Sequence, residues 1–132
     1  MIQIIHHCKS LPCPKKLLLD TAQDVYAREG LDTDAGVTIV LCSDYIIRKH
    51  NLKYRNKDKI TDVLSFRFGD PDLLGEVYIS LKRAKIQASK YGVTYKAELK
   101  RLLVHGLLHL AGYDHEKDED REVMEERESM YL

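Results

Sequence analysis

Three of the chain's six histidines fall within the stretch HGLLHLAGYDH, at positions 105, 109 and 115. His105 and His109 are four residues apart, a spacing that on a helix sets two side chains on one face with Cβ atoms about 6 Å apart. Two imidazoles so placed can converge on one divalent metal ion, since zinc–nitrogen bonds are about 2.0–2.1 Å long. Gly112 follows the second histidine and ends the helix, because glycine accepts the left-handed backbone in which helices commonly stop. The turn beyond it returns His115 as a third ligand. Three neutral histidines leave a fourth coordination position open, the arrangement of a catalytic rather than a structural zinc site. Three histidines do not by themselves fix the ion, since imidazole suits zinc, nickel, copper and iron.

His105, His109, Gly112 and His115 also fit the zinc-protease spacing H-E-x-x-H-x-x-G-x-x-H of the metzincin type. One position departs from it. Where that pattern places a glutamate as general base, this chain has Gly106, which has no side chain to accept a proton. Metal-dependent hydrolysis is therefore favoured and peptide hydrolysis is not.

A second set of polar residues lies upstream, in NLKYRNKDKITDVLSF at positions 51–66. Arg55 is the candidate catalytic residue here, because a planar guanidinium matches two oxygens of a phosphate and stabilises charge that builds there. Lys53, Lys57 and Lys59 read as exposed, and at most as contacts to the backbone phosphates of a polyanion. Thr61 and Asp62 read as the start of a strand. Glu76 and Asp114 are the carboxylates expected to orient a ligand imidazole or to take part in proton transfer. Tyr54, Tyr91, Tyr95 and Tyr113 could stack on unpaired bases or pack as half-buried rings. His6, His7 and His50 read as ordinary strand and surface histidines.

These residues need a frame, and the pattern of the chain supplies one. IQIIH (2–6), VTIVLC (37–42), TDVLSF (61–66) and GEVYIS (75–80) are short, apolar, β-branched runs that read as strands. Helical patterns run from Pro14 to a stop at Gly30, over 44–53 behind Ser43, over 81–91 behind Ser80, and from Thr94 to Gly112. The last of these carries the apolar stripe Leu99, Leu102, Leu103, Leu107 and Leu110. A highly charged helix is expected over 116–130. The order implies one α+β domain spanning 1–132, with a roughly four-stranded mixed sheet, five helices, and the metal site on a central helix and its following turn.

Net charge is zero, but it is unevenly spread. Residues 48–101 carry 14 Lys/Arg against 6 Asp/Glu, whereas residues 114–132 carry 3 against 9. Such segregation can present a positive surface to a polyanion, or the two halves can neutralise each other on folding. No apolar run reaches the roughly 18 residues of a membrane span, and the N-terminus lacks the pattern of a signal peptide. Cys8, Cys13 and Cys42 cannot all pair, and reduced thiols in a cytoplasmic protein are the expectation.

Taken together, these stretches resemble the YbeY family of bacterial ribosomal RNA maturation factors, which are metal-dependent, single-strand-specific endoribonucleases. HGLLHLAGYDH matches the family's H-G-x-L-H-L-x-G-Y-D-H without a departure. Asn51, Arg55 and TDVLSF match its upstream signature, and GEVYIS matches its G-[DE]-hydrophobic-x-I-S segment. The resemblance implies one zinc ion on His105, His109 and His115, with Arg55 acting in the cleft. It implies processing of the 3′ end of small-subunit ribosomal RNA, a part in ribosome quality control, and a cytoplasmic setting. Single-stranded RNA and the small ribosomal subunit or its assembly proteins are the implied partners. Two other readings stay open at this point: a non-catalytic metal-binding assembly factor that holds RNA, and a metzincin-like hydrolase.

Overall fold

The apolar runs do become strands. In the computed structural model, which describes residues 1–132, they form β1 (Ile2–His6), β2 (Gly36–Cys42), β3 (Val63–Arg67) and β4 (Leu73–Ser80). The helices are α1 (Lys15–Glu29), α2 (Asp44–Arg55), α3 (Leu81–Tyr91), α4 (Tyr95–Leu110) and α5 (Asp118–Ser129). The hydroxyls of Ser43, Ser80 and Thr94 cap α2, α3 and α4 by accepting from the amides of Ile46, Arg83 and Ala97 at 3.4, 3.1 and 3.0 Å. Each cap satisfies an amide that the first helical turn leaves without a partner.

The four-stranded sheet runs in the order β1-β2-β4-β3. β1, β2 and β4 are parallel, and β3 pairs antiparallel with β4 through Ser65↔Val77 and Phe66↔Glu76. β3 is thus an edge strand. Side chains alternate across a strand, so its two faces carry different work. Val63 and Ser65 face α4, while Leu64 and Phe66 face α2.

The main core, twenty buried residues, fills the layer of α1, α3 and α4 on one face of the sheet. Only five form the second cluster, under α2 on the other face. Leu99, Leu102, Leu103, Leu107 and Leu110 are all buried. Each removed to alanine would cost about 2–5 kcal/mol, and so α4 is held as a rigid central rod.

α4 approaches the sheet unusually closely at Gly106. A Cβ there would stand 2.6 Å from Val77 Cγ1 and 3.1 Å from Ser65 Oγ, and the Ser65 hydroxyl donates to the Gly106 carbonyl at 3.1 Å. Position 106 therefore has no room for the glutamate of the protease pattern.

Several boundaries differ from the sequence expectation by one or two residues, and three of them bear on the site. β3 begins at Val63, because Asp62 Oδ1 accepts from the Val63 amide at 2.8 Å and holds Thr61 and Asp62 in the turn. α4 ends at Leu110 rather than at Gly112. α5 begins at Asp118, two residues later than expected, and is anchored by its buried Met124 and by Tyr131 just beyond it.

Candidate metal centre

The corner after α4 is built by backbone hydrogen bonds. The Gly112 amide donates to the His109 carbonyl at 3.1 Å, and the Tyr113 amide to the Leu108 carbonyl at 3.0 Å. This is the paired closure in which a glycine with positive φ reverses the chain, and Gly112 has φ 108°. Asp114 Oδ1 then accepts from the amides of His115 and Glu116 at 2.6 and 3.1 Å. The Asp114 carboxylate thus shapes the turn that presents His115.

The outcome is a triangle of imidazoles. Ring centroids lie 4.9 Å apart for His105–His109, 5.4 Å for His105–His115 and 4.7 Å for His109–His115. One ring nitrogen from each falls within 4.8 Å of the others, and His109 Nε2 stands 2.9 Å from His115 Nδ1. Burial, followed by the neighbouring His105 and His115, pushes His109 down to about pH 4 in its titration. It is therefore neutral near pH 7, as a metal ligand must be.

His105 Nδ1 is hydrogen-bonded to Glu128 Oε1 of α5. A carboxylate only accepts, so the proton sits on Nδ1 and the lone pair on Nε2. Such a partner orients a ligating histidine and strengthens it as a donor. Three nitrogen donors on one side, one of them fixed in tautomer by a carboxylate, fit a divalent ion with room for a further ligand.

The histidines line a cleft of about 530 Å³ together with Arg55, Asp62, Ser65, Arg67 and Asp114. Of the chain's eight arginines, five are held by carboxylates: Arg28, Arg48, Arg83, Arg101 and Arg127. The three without an ion pair all surround the histidines. Arg55 and Arg67 line the cleft, and Arg121 lines a smaller hollow behind it with His105, His115 and Glu128. Free guanidiniums beside a metal centre are suited to an anion supplied from outside.

Not every expected residue reaches this cleft. Glu76 stands on the opposite face of the sheet, because its neighbour Val77 points at Gly106 of α4. Its carboxylate instead accepts from the Tyr78 hydroxyl at 3.3 Å, so it neither orients a histidine nor faces the cleft. The carboxylate that does contact a histidine is Glu128, which the acidic composition of the tail conceals. It lies four residues after the buried Met124 and three before the buried Tyr131, and that spacing is the sequence signal for it. Arg67 was also missed, although strand alternation places it on the same side as Ser65.

Lys53, Lys57 and Lys59 are exposed and lie outside the cleft lining. The segment that carries them is pinned by Asn51, whose Nδ2 donates to the Lys59 carbonyl at 2.9 Å, and by Arg48 on Asp58 at 2.6 Å. Tyr95 and Tyr113 are tied into the structure through their hydroxyls, to the Pro12 carbonyl and to Glu29 respectively, each at 2.8 Å. Tyr54 and Tyr91 are exposed. No helix is long and apolar enough to cross a membrane.

Fold and cluster together define an α+β protein that can hold a metal ion on three histidines from a central helix and the turn after it. Residues 6–132 match the family model described as Endoribonuclease YbeY. The endoribonuclease YbeY of Desulforamulus reducens is 44% identical over 114 residues, covering 79% of this chain and 74% of that protein. That of Macrococcus caseolyticus is 38% identical over 134 residues, covering 94% and 84%. The solution structure of TM1509 from Thermotoga maritima superposes with a TM-score of 0.69 at 32% identity, over 99% of this chain and 86% of that one. The chain belongs to the endoribonuclease YbeY family.

Proposed function

We propose that this protein is a metal-dependent endoribonuclease that cuts single-stranded ribosomal RNA during maturation, with residues 1–132 working as one domain. The observation that carries the reading is the meeting, in one cleft, of the three-histidine cluster with the unpaired Arg55 and Arg67. His105, His109 and His115 would hold a divalent ion, zinc in this reading, which when bound supplies Lewis-acid polarisation of a phosphoryl oxygen.

The protein's own groups do the rest. Arg55 and Arg67 grip the non-bridging oxygens of the scissile phosphate and stabilise the charge that develops on them. Glu128 keeps the His105 proton on Nδ1. Lys53, Lys57 and Lys59 contact backbone phosphates along the strand's approach. The acidic first turn of α5, Asp118, Glu119 and Asp120, repels a polyanion, so RNA enters from the side of β3 and the end of α2. The substrate in this reading is the 3′ end of small-subunit ribosomal RNA, met in the cytoplasm on or near the assembling subunit.

Packing at Gly106 argues against the protease alternative, since no base can be placed there. The test is direct. The metal-loaded protein cuts single-stranded ribosomal RNA, a chelator stops the cutting, and casein stays intact. Single-stranded RNA left whole by protein that holds its metal would refute the nuclease reading and leave the non-catalytic assembly factor in its place.

A further inference from the structure

On the far side of β3 from the cleft, four aromatic rings close a cycle. His50 lies 5.7 Å from Tyr54 and 4.5 Å from Tyr78, and Phe66 lies 5.4 Å from Tyr54 and 5.8 Å from Tyr78, centroid to centroid. Tyr78 is buried and supports the group from beneath. Tyr54, by contrast, is 57% exposed, at the end of α2 where a core helix needs no tyrosine. Its ring is held edge-on by Phe66, so it keeps one orientation without being covered.

This group is continuous with the cleft. Tyr54 directly precedes Arg55, and Phe66 sits between Ser65 and Arg67; Arg55, Ser65 and Arg67 all line the cleft. Alternation along β3 sends Ser65 and Arg67 to one side and Phe66 to the other. A polymer whose phosphate is held by the two arginines therefore meets the Tyr54 ring as soon as it crosses one edge strand. The charge there is also suited to a nucleic acid. Lys53 Nζ lies over the Tyr54 ring, 5.2 Å from its centre, so an exposed, flexible ammonium rests on the ring face and swings aside to the phosphate of a base that takes its place.

We infer that Tyr54, braced by Phe66 and His50, is a stacking platform for an unpaired base of the RNA strand whose neighbouring phosphate lies between Arg55 and Arg67. The inference rests on the nuclease reading and adds to it a reason for single-strand preference. A base can lie on Tyr54 only when it is out of a duplex. Stacking accepts any base, so the platform holds the strand without reading its sequence.

The test separates base from phosphate. Affinity is measured at one salt concentration for a short single-stranded RNA and for a ribose-phosphate chain of equal length without bases. Tyr54→Ala weakens RNA binding ~5-fold or more, Tyr54→Phe keeps it, and the base-free chain binds all three proteins alike. The chain has no tryptophan, so Tyr54→Trp introduces a single indole reporter. Stopped-flow mixing with RNA quenches it before cleavage, and mixing with the base-free chain does not. Native affinity in Tyr54→Ala, equal losses for both ligands, or an unquenched indole would overturn the platform while leaving the nuclease reading intact. Failure of the native protein to bind or cut RNA at all would overturn both.

Discussion

Glu128 on α5 accepts a hydrogen bond from Nδ1 of His105 on α4, so the most acidic element of the chain fixes the tautomer of a histidine in the three-histidine cluster. Partners of this kind are worth about 10–100-fold in metal affinity. Glu128→Ala is expected to weaken zinc binding by that factor, and Glu128→Gln to recover part of it, because an amide oxygen still accepts. Competition against a chromophoric chelator measures the change.

Glu29, at the end of α1, joins three parts of the molecule. It accepts from the Tyr113 hydroxyl at 2.8 Å, from Arg127 Nε at 2.8 Å and from the Tyr131 hydroxyl. Burial alone would raise its carboxyl, but Tyr131, Tyr113 and Arg127 together hold it below the ordinary value of 4.5. A carboxyl lowered in the folded state adds stability that is fully present above 4.5 and is lost as pH falls through the folded value. Thermal midpoints should therefore drop on acidification below that value by more in the native protein than in Glu29→Gln. At neutral pH the substitution should cost about 2–4 kcal/mol.

Gly106→Ala tests the contact between α4 and the sheet. Alanine normally returns about 1 kcal/mol of helix propensity. Here its methyl group meets Val77 Cγ1 at 2.6 Å, and overpacking costs about 1–3 kcal/mol. The expected result is a lower urea midpoint with an unchanged slope, the reverse of the usual glycine-to-alanine outcome.

Arg67→Ala should leave metal content unchanged and reduce RNA affinity. If the guanidinium contacts one phosphate, the slope of log affinity against log salt becomes shallower by about 0.7. Binding titrations at several salt concentrations give that slope.

Much of this structure could be read from local chemistry. β-branched runs, hydroxyl caps and the leucine stripe of α4 each answer to forces within a few residues, and so do the spacing of the three histidines and the glycine corner between them. What escaped was set by contacts between distant segments. Glu76 reads as a carboxylate close to the chemistry, but strand alternation turns it to the face opposite the histidines. Glu128 reads as one acid among many until Met124 and Tyr131 are seen to bury that side of α5. Arg121 carries no local signal at all, and Arg67 carries only its place two residues after Ser65 on β3. Their distinction is the lack of a carboxylate partner, which only the assembled fold displays.

The central claim is that the histidine cluster and Arg55 act on RNA in one cleft. It is tested by measuring metal content and cleavage of single-stranded ribosomal RNA together, for the native protein, His115→Ala and Arg55→Ala. The expected result is about one metal per native chain, loss of metal and cleavage in His115→Ala, and retained metal in Arg55→Ala with cleavage down about 10²-fold or more. Undiminished cleavage in both variants, or no cleavage by metal-loaded native protein, would contradict it.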